Sequence, residues 1–249
     1  NPPAYISFLQ KILKVAGGKK LFPINFNNFR FRVNYKEEKV LKKDFGIVRE
    51  LLQTWNDKKK VFRLIKRFSF TKQTKIGERM FPLRIDCSVV RSSKRSGKRL
   101  IPEFRIESSG VFNNPETYEI EIEVDGAQNI YDDVYLLSKL RETIKYVLSG
   151  IQGSNFPIAY TEQDEILNEY MHVLYKTPPD RRIKTRDFVG PSSISLERPN
   201  IAPLTADIMV ANIRRAYTVT EKADGTRKLL FISSKGKVYL IDVNMNVQF

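Results

Sequence analysis

One run limits the fold more than any other: Tyr118-Glu119-Ile120-Glu121-Ile122-Glu123-Val124. Side chains alternate across a strand, so Glu119, Glu121 and Glu123 share one face, about 6.6–6.8 Å apart. Tyr118, Ile120, Ile122 and Val124 take the other face, which is expected to pack on a core. Glutamate is disfavoured in strands, and three like charges in a row repel unless cations meet them. Oxygen ligands at this spacing suit a hard ion such as Mg²⁺ or Mn²⁺. The competing reading is the solvated face of an edge strand, where charge discourages aggregation.

The cations such a row needs are abundant, and they lie elsewhere in the sequence. Of 43 Lys and Arg, 27 fall before residue 117, against 10 of the 28 Asp and Glu; residues 117–170 reverse the balance, with 3 basic and 11 acidic side chains. A basic body around one acidic block points to a polyanion handled together with a cation. One Cys and one His exclude an internal disulfide framework, leave no Cys/His cluster for zinc and weigh against a Ser-His-Asp triad. No apolar run approaches the ~20 residues of a membrane-spanning helix. The opening Asn1-Pro2-Pro3 carries no basic and apolar leader, so secretion is not expected.

Arginines recur at alternating strand positions: Arg30 with Arg32, Arg63 with Arg67, and Arg84 with Asp86 and Ser88. Antiparallel strands bearing them, joined to the glutamate strand, could close into a barrel with a charged interior. Its guanidinium forks would hold a triphosphate. In the alternative reading these faces point outward to solvent.

Periodicity predicts a helix over 4–15 ended by Gly17-Gly18, a strand over 22–35 and a short amphipathic helix over 45–55. Strands are expected at 61–70, 81–91, 100–107 and 117–124, with a polar hairpin at 92–99, then helices over 131–148 and 164–175. Residues 177–200 hold four prolines and read as a linker; 216–249 is strand-like again. Two domains follow, residues 1–176 and 177–249.

The second contains Lys222-Ala223-Asp224-Gly225-Thr226-Arg227 between apolar runs at 217–219 and 229–232. A lysine attacks an α-phosphate only as the neutral amine, which nearby positive charge or desolvation provides. Gly225 permits a turn and Arg227 could bind nucleotide. The bland reading of the motif is a surface turn.

Together these features resemble the multifunctional mRNA capping enzymes of large cytoplasmic DNA viruses. The strand with Glu119, Glu121 and Glu123, the following long helix and the acidic 161–165 resemble the tunnel-fold RNA 5′-triphosphatases. Residues 63–70 are similar to that family's basic strand with an aromatic-Ser-aromatic unit, and 84–88 to its next strand. KADGTR resembles motif I of covalent nucleotidyltransferases. The resemblance implies an α+β fold: an antiparallel triphosphate tunnel with flanking helices, then the first strands of a guanylyltransferase domain. It implies that Glu119, Glu121 and Glu123 bind Mg²⁺ or Mn²⁺, with Glu121 and Glu123 catalytic. Arg63, Arg67, Arg84, Arg30 and Arg32 would hold phosphates, and Asp86 would fix one of these cations. Lys222 would carry GMP from GTP, and Arg227 would contact the nucleotide. The implied partners are a 5′-triphosphate RNA end and GTP, with transcription machinery or a methyltransferase region as further candidates; the implied location is host cytoplasm or virion.

The family's metal site also uses an earlier strand with two glutamates one residue apart. No acid precedes Glu37, and Glu37 and Glu38 are adjacent, so on a strand they face opposite ways. That strand is expected upstream of Asn1, and the remaining nucleotidyltransferase motifs beyond Phe249. Two rival readings are a ligase-type nucleotidyltransferase with an accessory domain, and a noncatalytic basic RNA-binding subunit.

Overall fold

The computed structural model describes residues 5–74, 77, 79–124, 132–176, 180–190, 195–204, 210–216, 218–221 and 224–249. Its strands pair antiparallel throughout, and the chain divides into compact units Asn1–Leu148 and Ser149–Phe249.

The first unit opens with β1 (Phe8–Leu13), where periodicity had predicted a helix. Tertiary pairing overrides that pattern. β6 (Lys36–Leu41) lies antiparallel to β1 with Lys11 opposite Glu38, and their side chains form an ion pair of 2.5 Å. Gly17 and Gly18, with φ of 55° and 74°, supply the left-handed turn between β2 (Val15–Ala16) and β3 (Lys19–Lys20), where a helix stop had been expected. The single strand expected over 22–35 is instead a hairpin of β4 (Ile24–Phe26) and β5 (Phe31–Val33). A 3₁₀ turn at Asn27–Phe29 breaks it, and Arg30 closes that turn at φ 55°. Helix α1 (Gly46–Gln53) forms as expected and buries Val48.

The central sheet has the order β11 (Thr117–Val124), β8 (Leu83–Ser92), β7 (Arg63–Thr71). The polar hairpin also forms, as β9 (Arg95–Ser96) and β10 (Arg99–Leu100) around Gly97. The strand expected over 100–107 stops at Leu100; Pro102 cannot donate to a ladder, and only a Lys60–Glu103 bridge follows. Among the described residues no further strand pairs with the outer edges of β7 or β11, so the expected closed barrel is not formed.

Helix α2 (Asp133–Gln152) runs past the division between the units. In the second unit, α3 (Tyr160–Leu174) packs on β12 (Lys228–Ile232), β13 (Val238–Asp242) and β14 (Val247–Gln248). Ile166, Tyr170 and Met171 of α3 meet Tyr239, Ile241 and Val247 in this core, and Tyr170 stacks edge-on against Phe231 at 6.0 Å. The compact unit Ser149–Phe249 thus holds α3 together with the C-terminal sheet that covers its apolar side. A short helix, α4 (Arg198–Ile201), overlaps the end of the expected linker. Residues 218–219, expected as strand, are not in one, and Val219 is almost fully exposed.

Candidate active site

Register places the charged side chains of the central sheet in rows. Glu119 lies opposite Ser88, Glu121 opposite Asp86 and Glu123 opposite Arg84; across β8, Arg67 faces Ser88 and Ser69 faces Asp86. All therefore project from one face, as the two-residue periodicity requires. That face is the more sheltered one: Glu119, Glu121 and Glu123 are part-buried, whereas Tyr118, Ile120 and Val124 opposite them are exposed. The expectation that the apolar side of β11 packs on a core is thus corrected.

Each glutamate meets an arginine. Arg63 Nη2 donates to Glu119 at 2.5 Å, Arg67 Nη2 to Glu121 at 2.9 Å and Arg84 Nη2 to Glu123 at 2.6 Å. Asp86, fully buried, ties the arginines together: it accepts from Arg67 Nη1 at 3.2 Å and from Arg84 Nε at 3.0 Å. Burial pushes the Asp86 carboxyl upward, but the Ser69 hydroxyl and the two guanidiniums outweigh it and hold it below the ordinary carboxylate range. Arg67 also reaches Ser88 Oγ at 3.3 Å. On β1, Lys11 is held above the usual lysine range, first by Glu38 and further by Glu121 and Glu123. It adds a cation that strand periodicity could not reveal, because its segment reads as a helix.

Arg30 and Arg32 are not brought into this row. They sit on the β4–β5 hairpin, where Arg32 donates to Asn25 Oδ1 at 2.8 Å. The break at 27–29 separates them from the strand geometry that would have aligned them.

The glutamates also do not form a metal centre as they stand. Among the described residues no group of three or more Asp, Glu, His or Cys is placed to hold an ion. Consecutive glutamates are spread along the strand, and each is engaged by a guanidinium.

In the second unit, Lys222 lies outside the described residues, while Asp224, Gly225 and Arg227 are described and lead straight into β12. The Arg227 guanidinium lies 5.0 Å over the Phe188 ring. A Cβ built on Gly190 would fall 2.9 Å from Arg227 Nη2 and 3.1 Å from Leu229 Cδ2, so only glycine leaves room for that pose. A buried lattice fixes the loop supplying Phe188 and Gly190. Asp187 accepts from Arg181 Nη2 at 2.6 Å and from the Lys184 backbone at 2.8 Å. Tyr170 Oη donates to the Asp187 carbonyl and accepts from Val189 N, both at 2.9 Å. Arg181 foremost, then the Lys184 N–H, lowers the Asp187 pKa to about 2 against the opposing effect of burial. Sequence reading missed Phe188, Gly190 and Asp187; they sit in a Pro-rich stretch without periodicity.

Residues 138–249 match the family model described as mRNA capping enzyme, catalytic domain. The chain resembles a capping enzyme. A probable mRNA-capping enzyme of Acanthamoeba polyphaga mimivirus is 26% identical over 134 residues, covering 54% of this chain and 10% of that protein. The matched region thus spans about a tenth of the relative's length. No solved structure matches. The family match takes in the later part of α2, all of α3, the Phe188–Gly190 loop, KADGTR and the C-terminal sheet. It supports a nucleotidyltransferase-type capping enzyme. Among the described residues no helix is long and apolar enough to cross a membrane.

Proposed function

We propose that this chain acts in mRNA 5′ capping, transferring GMP from GTP through a covalent adduct on Lys222 to an RNA end that the first unit prepares. The observation that carries this reading is the coincidence of the capping-enzyme match over 138–249 with KADGTR at 222–227. In the first half-reaction the neutral Lys222 amine attacks the α-phosphorus, a P–N bond forms and pyrophosphate leaves. In the second, a β-phosphate oxygen of diphosphate-ended RNA attacks the same phosphorus and the P–N bond breaks. Arg227 is suited to orient the nucleotide, because Phe188 and Gly190 hold its guanidinium in one place.

The first unit's role in this proposal is removal of the γ-phosphate from triphosphate-ended RNA. Arg63, Arg67 and Arg84 offer planar forks that match phosphate oxygens. An incoming triphosphate would displace Glu119, Glu121 and Glu123 from these arginines, while buried Asp86 keeps Arg67 and Arg84 aimed at the face. The freed carboxylates are then available to orient water toward the γ-phosphorus, and the guanidiniums to stabilise the charge that develops.

The test incubates the protein with GTP labelled at the α-phosphate and looks for label that survives denaturation. Label should appear with GTP, exceed that with ATP and vanish in Lys222→Ala. Labelling by ATP alone would replace capping with ligase-type chemistry. Phosphate release from triphosphate RNA, lost in Glu121→Ala, tests the first unit separately.

A further inference from the structure

Most arginines of the central sheet are matched to carboxylates, but at one end of the same unit cations outnumber acids. Segments 58–60 and 94–105 hold eight Lys and Arg against one acid, Glu103, and Lys58 pairs with Glu50 at 3.1 Å. Backbone hydrogen bonds bring them side by side. Lys60 and Glu103 exchange N–H···O bonds of 2.8 and 2.9 Å, Ser93 N donates to Phe62 O at 2.9 Å, and Lys94 N donates to Ser109 O at 2.9 Å. The β9–β10 hairpin projects Arg95, Lys98 and Arg99, all exposed, and none has a carboxylate partner among the described residues.

Two aromatic rings stand among these cations. Trp55 lies 4.7 Å under Lys60 Nζ and Phe104 5.3 Å under Lys59 Nζ, and both remain nearly half exposed. Unpaired cations held on β-structure, interleaved with exposed ring faces, are what a flexible single strand needs: phosphates find charge and unstacked bases find flat surfaces. A duplex would use the cations but not the rings. The hairpin tip, Ser96-Gly97-Lys98, has no apolar side chain to enter a bilayer.

We infer that the β9–β10 hairpin, with Lys59, Trp55 and Phe104, is a docking surface for the body of a single-stranded RNA, separate from the arginine–glutamate face that meets its 5′ phosphates. The inference rests on the capping reading only in taking RNA as the polyanion. This surface retains the transcript irrespective of its 5′ chemistry.

The probe is a short single-stranded RNA with a 5′-hydroxyl end, which leaves nothing for the phosphate-binding face. Its affinity is followed by fluorescence anisotropy between about 50 and 200 mM salt. The triple variant Arg95→Ala/Lys98→Ala/Arg99→Ala should bind at least tenfold more weakly and lower the salt slope by about 2, at ~0.7 per phosphate contact. Trp55→Ala and Phe104→Ala should each weaken binding about tenfold, with little effect on duplex RNA. Circular dichroism melting checks that every variant folds. An unchanged affinity in the triple variant overturns the inference, as does equal loss of single-stranded and duplex binding in the aromatic variants. If GTP labelling fails while hairpin-dependent binding persists, the capping reading falls and the surface stands; the opposite pattern sinks the surface alone.

Discussion

The arginine–carboxylate groups of the two units use the same chemistry in different surroundings. In the first unit, Arg63, Arg67 and Arg84 keep 31–40% of their side chains exposed, and the glutamates facing them 35–42%. Only Asp86 is fully buried. In the second unit, Asp187 is 1% exposed, and its arginine, a backbone N–H and a tyrosine-held loop enclose it. Exposed pairs exchange partners at little cost, whereas a buried pair is costly to break because it strands a charge. The first arrangement is therefore suited to receive phosphate, and the second to keep a loop in place.

The sharpest way to break this contrast is to remove one partner from each. Asp187→Ala should destabilise the second unit by about 2–3 kcal/mol, since a guanidinium and the Lys184 N–H lose a charged acceptor, read from urea unfolding. Its pH dependence follows in sign. The Asp187 pKa falls from 3.8 unfolded to about 2 folded, so its stabilisation is fully present above pH 3.8 and is lost as pH falls toward and below 2. Asp187→Asn should flatten that acid limb. At the other extreme, burial and then Glu162 raise the Tyr239 hydroxyl from 10.0 to about 12. That contribution is intact below pH 10 and disappears as pH rises through 12, so Tyr239→Phe should flatten the alkaline limb.

Next in size are two substitutions on the open sheet. Asp86→Ala should cost about 2 kcal/mol, since two guanidiniums lose a charge-assisted acceptor. Arg63→Ala, whose ion pair is with part-exposed Glu119, should change stability by less than about 1 kcal/mol, yet weaken binding of triphosphate-ended RNA about tenfold relative to 5′-hydroxyl RNA. If Arg63→Ala instead destabilises the fold as strongly as Asp187→Ala, the sheet face is a structural lattice and the contrast collapses.

How far the sequence foretold this follows from the range of each interaction. β11 is strand over the whole expected span, 117–124, and the hairpin at 92–99 has the expected turn, because alternation and glycine act locally. The arginine–glutamate rows were legible once strand parity was applied, since parity fixes who shares a face. Which face is sheltered was not legible, and neither was β1, because both depend on partners far along the chain. Lys11 against Glu38 is such a case. The Asp187 lattice was illegible for the same reason: Tyr170 reaches it from a helix whose period reports only an apolar side.

The smallest effect tests whether the second unit's rigid loop serves the nucleotide motif. Phe188→Leu removes a cation–π contact worth about 0.5–1 kcal/mol, so GTP affinity should fall two- to fivefold while unfolding changes little. Gly190→Ala acts on the same guanidinium from the other side, because its Cβ would meet Arg227 Nη2 before any backbone atom. The end of a flexible side chain can move aside, so this variant should fold normally and bind GTP more weakly. Both effects should disappear in an Arg227→Ala background, where no guanidinium remains to be positioned. Side-chain NMR of Arg227 gives a readout independent of labelling: the ring-current shift from Phe188 should be present in the wild type and absent in Phe188→Leu. Losses that persist without Arg227 would mean that the loop contacts the nucleotide itself, and the buried lattice would then support a binding surface and not a clamp.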